Sequence, residues 1–328
     1  MCTAVTVQSL QGDLVFGRTM DFSHDIQPHC YMVPRNYTWI NKLNGHVIRN
    51  SYRFLGIGQA LDGLLAFFDG VNEHGFAAAA LYFAGYARYK MPQPGSTAMP
   101  IASFDFIHYI LGNCTTVEDL AVRLKNIDII GMTDPVTRIV APLHWIAMDR
   151  TGACVVLEYT ERGGELHHNF IGVLANSPDF GWHMTNLNNY TEATPHQIPQ
   201  ALWGSVRLTP FGQAGGTVPL PGGYTSPERF IRTAYLKTHI PAPPDGESAV
   251  IAGFHILKSV SIPKGAVVTS RNTDDYTKYT AMINTRKGEY YFQTYDNPQI
   301  YKARLQKLDT AQPVDLGQLD QPVFFEEL

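Results

Sequence analysis

The sequence has 328 residues, 45% of them hydrophobic and only 16% charged, with a formal net charge of −4. The charged share is below the ordinary value of about 25%, yet the composition excludes disorder, collagen and coiled coil. The balance of 25 Lys+Arg against 29 Asp+Glu, with no basic run, argues against a dedicated nucleic-acid binder.

In chain order, Cys2–Gln8 reads as a strand rich in β-branched residues. Gln11-Gly12-Asp13 is a turn signal, and residues 14–20 form a second run, so a hairpin opens the chain. Residues 64–69 and 76–83 read as strands around Asn72-Glu73-His74-Gly75. Residues 99–111 carry apolar positions at helical spacing, and Thr116-Val117-Glu118-Asp119 opens a second helix to about residue 127. Residues 143–149, 153–159 and 168–174 read as three strands, and 191–225, rich in Pro, Gly and Thr, as a long loop. Ser226 is the expected N-cap of a helix to residue 239, with Pro227 at the first helical position. A further helix is expected over 247–260, then a hairpin of 276–284 and 290–295 around Arg286-Lys287-Gly288. Segregated runs of strands and helices favour an α+β layered fold over alternating βαβ units.

The longest apolar run, 76–84, falls short of the roughly 20 residues that span a membrane. The N-terminal stretch lacks the basic and apolar regions of a signal peptide. A soluble, cytoplasmic protein is expected, with reduced thiols at Cys2, Cys30, Cys114 and Cys154 and no CxxC pair. Neither a G-x-G-x-x-G after a strand nor a P-loop, a G-x-S-x-G or an H-E-x-x-H is present. His167 and His168 would point to opposite faces of a strand, which makes them poor joint metal ligands.

Cys2 follows Met1, and Cys is small enough for Met1 to be trimmed. One residue would then carry a thiol nucleophile and a free α-amino base, whose reference pKa is about 7.7–8.0. The competing reading is an ordinary buried small residue at a strand start. If the first two strands pair, Arg18 and Asp21 lie near the sheet end that holds Cys2. Asp21 would then hydrogen-bond the α-ammonium, and Arg18 would favour the thiolate. The alternative is a surface Arg and a turn Asp.

Four segments in this order resemble the choloylglycine hydrolases: MCTAVTV, Arg18-Thr19-Met20-Asp21-Phe22, NSPDFGWHMTNLNNY (176–190) and LPGGYTSPERFIR (220–232). That family comprises bile salt hydrolases and penicillin V acylases among the N-terminal-nucleophile hydrolases. The resemblance covers nearly the whole chain. It implies Cys2 as nucleophile after loss of Met1, Arg18 and Asp21 as the residues that hold and tune it, and Arg229 near it. It implies Asn176 as a side-chain donor of the oxyanion hole, with the Tyr82 backbone N–H as the second. It implies a four-layer αββα sandwich, a homotetramer, and neither metal nor cofactor.

The implied substrate is a small linear amide with an apolar acyl group. Tyr82 falls where penicillin V acylases usually carry Tyr and bile salt hydrolases Asn, so this reading leans to the penicillin V acylase type. Glycine or taurine conjugates of bile acids and acyl-homoserine lactones are the alternatives. Met20, Phe22, Tyr82 and Trp182 are candidates to line an apolar pocket, against a reading as core packing. A non-catalytic binder of an amphipathic ligand is the reading from a different class, and it would not need the set Cys2, Arg18, Asp21, Asn176 and Arg229. A projecting loop within 191–225 would serve assembly. Since residues 2–21 and 176–232 would share one site, a single domain over 1–328 is expected rather than two.

Overall fold

The computed structural model describes residues 1–61, 63–91 and 95–327. Alternating apolar strands dominate its first 72 residues: β1 (Cys2–Gln8), β2 (Leu14–Phe22), β3 (His29–Val33), β4 (Phe54–Leu61) and β5 (Leu64–Asn72). Then come β6 (Ala77–Tyr82), helices α1 (Phe106–Asn113) and α2 (Val117–Arg123), and strands β7 (Leu143–Met148), β8 (Cys154–Thr160), β9 (Gly163–His168) and β10 (Val173–Leu174). Helices α3 (Phe180–Asn186), α4 (Ser226–His239) and α5 (Gly246–Lys258) precede β11 (Tyr276–Asn284), β12 (Glu289–Thr294), β13 (Tyr301–Arg304) and β14 (Val314–Gln318).

These strands make two antiparallel sheets, ordered β10-β1-β2-β11-β12-β13 and β9-β8-β7-β6-β5-β4-β3-β14. Side chains alternate between faces along a strand. On β6, Ala77, Ala79 and Leu81 turn toward the first sheet, while Ala78 turns toward α1 and α2. On β7, Ile146 and Met148 take the first face, and Trp145 and Ala147 the second. Both faces of the second sheet are therefore covered. Helices α4 and α5 cover the outer face of the first sheet, which completes the four-layer αββα sandwich.

The opening hairpin pairs in the register Cys2↔Met20 and Ala4↔Arg18. Gly17 permits the close approach of β11, since a Cβ there would lie 2.7 Å from the Ala281 carbonyl oxygen. The thiol of Cys2 and the side chains of Arg18 and Met20 thus share the face turned to the second sheet, whereas Thr19 and Asp21 face α4.

Several boundaries differ from the sequence expectation. The helix expected over 99–111 is a strand at Met99–Ala102 followed by α1. Pro100 and Ile101 suit the small parallel ribbon that this strand makes with Ile127–Ile130, and the helix starts only after Asp105. That ribbon also ends the second helix at Arg123, short of residue 127. The strand expected over 168–174 is broken at Gly172 (φ 61°), where the chain leaves the second sheet and joins the first as β10. Thr225, not Ser226, is the N-cap of α4, with Glu228 closing a capping box and Pro227 at the second helical position. The loop 191–225 contains a short exposed ribbon, Ala201–Trp203 paired with Val206–Leu208.

Candidate active site

The site sits where β1 and β2 of the first sheet meet the second sheet and the start of α4. Arg18 is 1% exposed. Its Nη2 donates to Cys2 Sγ at 2.7 Å and its Nη1 to Asp69 Oδ2 at 3.3 Å. Burial opposes the Arg18 charge, but Cys2, Tyr279 and Asp69 outweigh that cost and hold its proton more tightly than usual.

Arg229 reaches the other side of Cys2 from the first turn of α4. Its Nη1 donates to the Cys2 carbonyl at 2.6 Å and to Thr3 Oγ1 at 2.5 Å, its Nη2 to Asn176 Oδ1 at 2.6 Å. Full burial lowers its pKa from the ordinary arginine value, and Asp21, 3.7 Å away, works against that shift. These partners account for a cation in a turn where the helix dipole disfavours one.

Asn176 is bonded through every polar side-chain atom. Its Oδ1 accepts from the Cys2 N–H at 2.8 Å and from Arg229; its Nδ2 donates to the Tyr82 carbonyl at 2.6 Å. Its own N–H donates to Ser226 Oγ at 2.8 Å, and its carbonyl lies 2.8 Å from His183 Nε2. Ser226 is therefore a positioning group rather than a helix cap. Tyr82 and Leu143 face each other, and the Phe83 N–H donates to the Pro142 carbonyl one step further along. Antiparallel alternation then turns the Tyr82 N–H and C=O together toward Asn176.

Asp21 lies near Cys2 but uses its carboxylate elsewhere. Its oxygens accept from Thr277 Oγ1 at 2.6 Å and Thr19 Oγ1 at 3.1 Å, across a β-bulge in β11. The Met1 ammonium donates to the Asp21 carbonyl at 2.5 Å and lies 3.3 Å from Asp275. With Met1 in place, the Cys2 nitrogen is a peptide amide bonded to Asn176, not a base bonded to the Asp21 carboxylate.

A cavity with a predominantly apolar lining opens at Cys2. Met20, Phe22 and Tyr82 line it, as do Phe67, Phe68 and Leu143. Trp182 does not line it: the Asp179 side chain caps α3 by accepting from the Trp182 N–H, and the indole is 42% exposed. Its closeness to Asn176 in sequence is not closeness to the cavity. Cys30, Cys114 and Cys154 are free, buried thiols, their pKa values pushed upward by burial.

Sequence reasoning missed two supporting clusters. Asp69 on β5 accepts from Arg18, Tyr279 and Tyr290. Glu158 on β8, fully buried, bonds His144 Nδ1 at 2.9 Å and the Phe180 N–H, while His144 Nε2 holds the Ala175 carbonyl at 3.0 Å. The second cluster fixes the backbone on both sides of Asn176. Each joins residues far apart in sequence, so no local motif marks it. Among the described residues, no group of three or more His, Cys, Asp or Glu side chains is placed to hold a metal ion, and no helix is long and apolar enough to cross a membrane.

Comparison with known proteins agrees with this geometry. Residues 2–316 match the family model described as linear amide C-N hydrolases, choloylglycine hydrolase family. A bile salt hydrolase/transferase of Clostridium perfringens is 36% identical over 303 residues, covering 92% of this chain and 91% of its own. A penicillin V acylase of Pectobacterium atrosepticum is 24% identical, covering 92% of this chain and 81% of its own. Among solved structures, a variant of the Clostridium perfringens conjugated bile acid hydrolase superposes with TM-score 0.90 at 32% identity, over 100% of both chains. A buried cysteine at the chain start, gripped by two arginines beside an apolar cavity, is thus accompanied by a match along nearly the full sequence. The chain belongs to the choloylglycine hydrolase family and is a hydrolase of linear amides.

Proposed function

We propose that the protein hydrolyses the amide of glycine- or taurine-conjugated bile acids, with Cys2 as nucleophile after removal of Met1. The observation that carries this reading is the predominantly apolar cavity that reaches Cys2. Its lining of Met20, Phe22, Ile26, Phe67, Phe68 and Leu143 suits an apolar acyl group. The bile salt hydrolase/transferase of Clostridium perfringens and the conjugated bile acid hydrolase of Lactobacillus gasseri, 36% and 34% identical, support it.

Loss of Met1 turns the Cys2 nitrogen into an amine, which takes the thiol proton directly or through water. The thiolate, held by Arg18, attacks the amide carbon. The carbonyl oxygen becomes an oxyanion, which the Asn176 Nδ2 and the Tyr82 N–H stabilise by about 3 kcal/mol each. As the C–N bond breaks, the α-ammonium returns its proton to the leaving amine, so glycine or taurine departs and the acyl group stays on Cys2 as a thioester. Water, deprotonated by the same amine, cleaves the thioester and restores the thiol. Asp21 acts through Arg229 and the bulge at Thr277, keeping the end of β2 in register beside Cys2.

Penicillin V is the second reading. The Tyr82 ring, which also lines the cavity, packs edge-on against Phe22 with centroids 6.0 Å apart. Side-by-side kcat/KM values on glyco- and tauro-conjugated bile acids, penicillin V and an acyl-homoserine lactone decide between them. The bile acid reading expects conjugated bile acids to lead. A higher value on penicillin V overturns it, and no hydrolysis of any amide returns the chain to a binding role.

The same reading includes one domain over residues 1–328 in a cytoplasmic homotetramer. We assign the contact between copies to the ribbon at 201–208, where Leu202 and Trp203 are exposed.

A further inference from the structure

Behind Arg18 lies a carboxylate that no sequence motif announces. Asp69 projects from β5 toward the first sheet and is fully buried. Its Oδ2 accepts from Arg18 Nη1 at 3.3 Å and from the Tyr279 hydroxyl at 2.7 Å; its Oδ1 accepts from the Tyr290 hydroxyl. Tyr279 and Tyr290 stand on neighbouring strands β11 and β12 and are themselves buried. The Arg18 guanidinium also stands 5.9 Å from the Tyr279 ring centroid. Strands of both sheets thus converge on one carboxylate, and its cation is the one that touches the Cys2 sulfur.

The geometry makes Arg18 a shared cation. One arm serves Sγ at 2.7 Å, the other a carboxylate at 3.3 Å. A bare buried carboxylate would draw the guanidinium to itself, since the low-dielectric interior strengthens each charge pair. Two phenols donating to the same carboxylate disperse its charge and leave more of the Arg18 field for sulfur. Burial pushes the Asp69 carboxyl above the usual carboxylate range, while Arg18, Tyr290 and Tyr279 pull it back. Among the described residues, the remaining charged and titratable neighbours are few. Arg229 reaches Cys2 from α4, with Asp21 beside it on the far face of β2. Asp275 acts on Arg229 from a greater distance, and the Cys30 thiol on β3 feels Asp69 but is pushed up to about 12, chiefly by burial.

We propose that Asp69, Tyr279 and Tyr290 form a positioning cluster that aims Arg18 at the Cys2 sulfur and sets how strongly Arg18 stabilises the thiolate. This rests on Cys2 being the nucleophile, but on no particular amide substrate.

The test is the pH dependence of Cys2 alkylation by iodoacetamide in the Met1-processed protein, corrected with Cys2→Ala. Tyr279→Phe and Tyr290→Phe keep the packing and remove one donor each. Both are expected to move the alkylation midpoint upward by about 0.5–1 pH unit, less than the roughly 1–3 units of a direct charge pair because only one hydrogen bond to the carboxylate is lost. Below that midpoint kcat/KM on a cleaved amide should fall by about three- to tenfold, with KM little changed. Asp69→Asn removes the charged anchor of Arg18 Nη1, so its activity is expected to fall further through lost aim of the guanidinium at sulfur. If it does not fold, the two phenylalanine variants still decide. An unmoved or lowered midpoint in both, with only the melting temperature reduced, makes the cluster merely structural and overturns the proposal. Alkylation uses no amide, so an error over bile acids would leave the midpoint shifts intact.

Discussion

Asn176→Asp separates the two jobs of one side chain. The native Oδ1 accepts from the Cys2 nitrogen at 2.8 Å and from Arg229 at 2.6 Å, while Nδ2 is the only donor and points at Tyr82. The aspartate keeps the shape and both accepting contacts. It replaces the donor by an oxygen facing the Tyr82 carbonyl and the place where the oxyanion forms. Loss of one oxyanion donor costs about 10²–10³ in kcat, near 3 kcal/mol. The new negative charge repels the developing oxyanion as well, so the expected loss is at least about 10³. Asn176→Ala removes the donor too, and also leaves a hydrogen bond of buried Arg229 unmade, which lowers stability by about 1–3 kcal/mol. Steady-state kcat and KM on a glyco-conjugated bile acid, with thermal melting, separate these effects. If Asn176→Asp keeps kcat within about fivefold of the parent, or raises only KM, Asn176 is not an oxyanion donor and the assignment fails.

Chains that retain Met1, resolved by intact mass, are expected to be inactive on amides, so activity should scale with the processed fraction; full activity of an unprocessed chain would remove the amine from the mechanism. His108 and His183 are pushed down to about 3 and about 4, mainly by burial. Their unfolded value is near 6.5, so the unfolded state binds more protons over that window. Stability is therefore full above about pH 6.5 and falls as pH drops, by up to about 1.4 kcal/mol per unit for each histidine. Urea midpoints at pH 7 and pH 5 measure this, and His108→Gln should flatten the slope; an unchanged slope would show that its burial does not set acid stability. Replacing Leu202 and Trp203, 68% and 75% exposed, by Asp should lower the solution mass seen by light scattering while preserving the specific activity of the folded protein. An unchanged mass places the contact between copies elsewhere.

What was legible in the sequence was local. β-Branched enrichment and a Gln-Gly-Asp turn reveal the hairpin of β1 and β2, and its register alone brings Arg18 to Cys2. The start of α4 shows through Thr225, Pro227 and Glu228, although a shift of one residue turned Ser226 from cap into support for Asn176. The segment 99–111 misleads because its apolar spacing fits both a helix and a strand followed by a helix, and the distant partner strand Ile127–Ile130 decides. Asp69 and Glu158 were invisible for a related reason. A buried carboxylate is marked by its partners, and these lie 210 or more residues away for Tyr279 and Tyr290. The role of Asp21 was half visible: its place beside Cys2 follows from the hairpin, while the direction of its carboxylate depends on a bulge in β11.

The position of β2 between β1 and β11 also has a temporal meaning. Its outer edge has no partner until residues 276–284 have been synthesised. At roughly 5–20 residues per second, that is an interval on the order of 15–60 s after the ribosome starts. Once β11 docks, the Met1 ammonium is tied to the Asp21 carbonyl and to Asp275. On the proposed removal of Met1, synthesis order leaves an interval in which its ammonium is not yet held by Asp21 and Asp275.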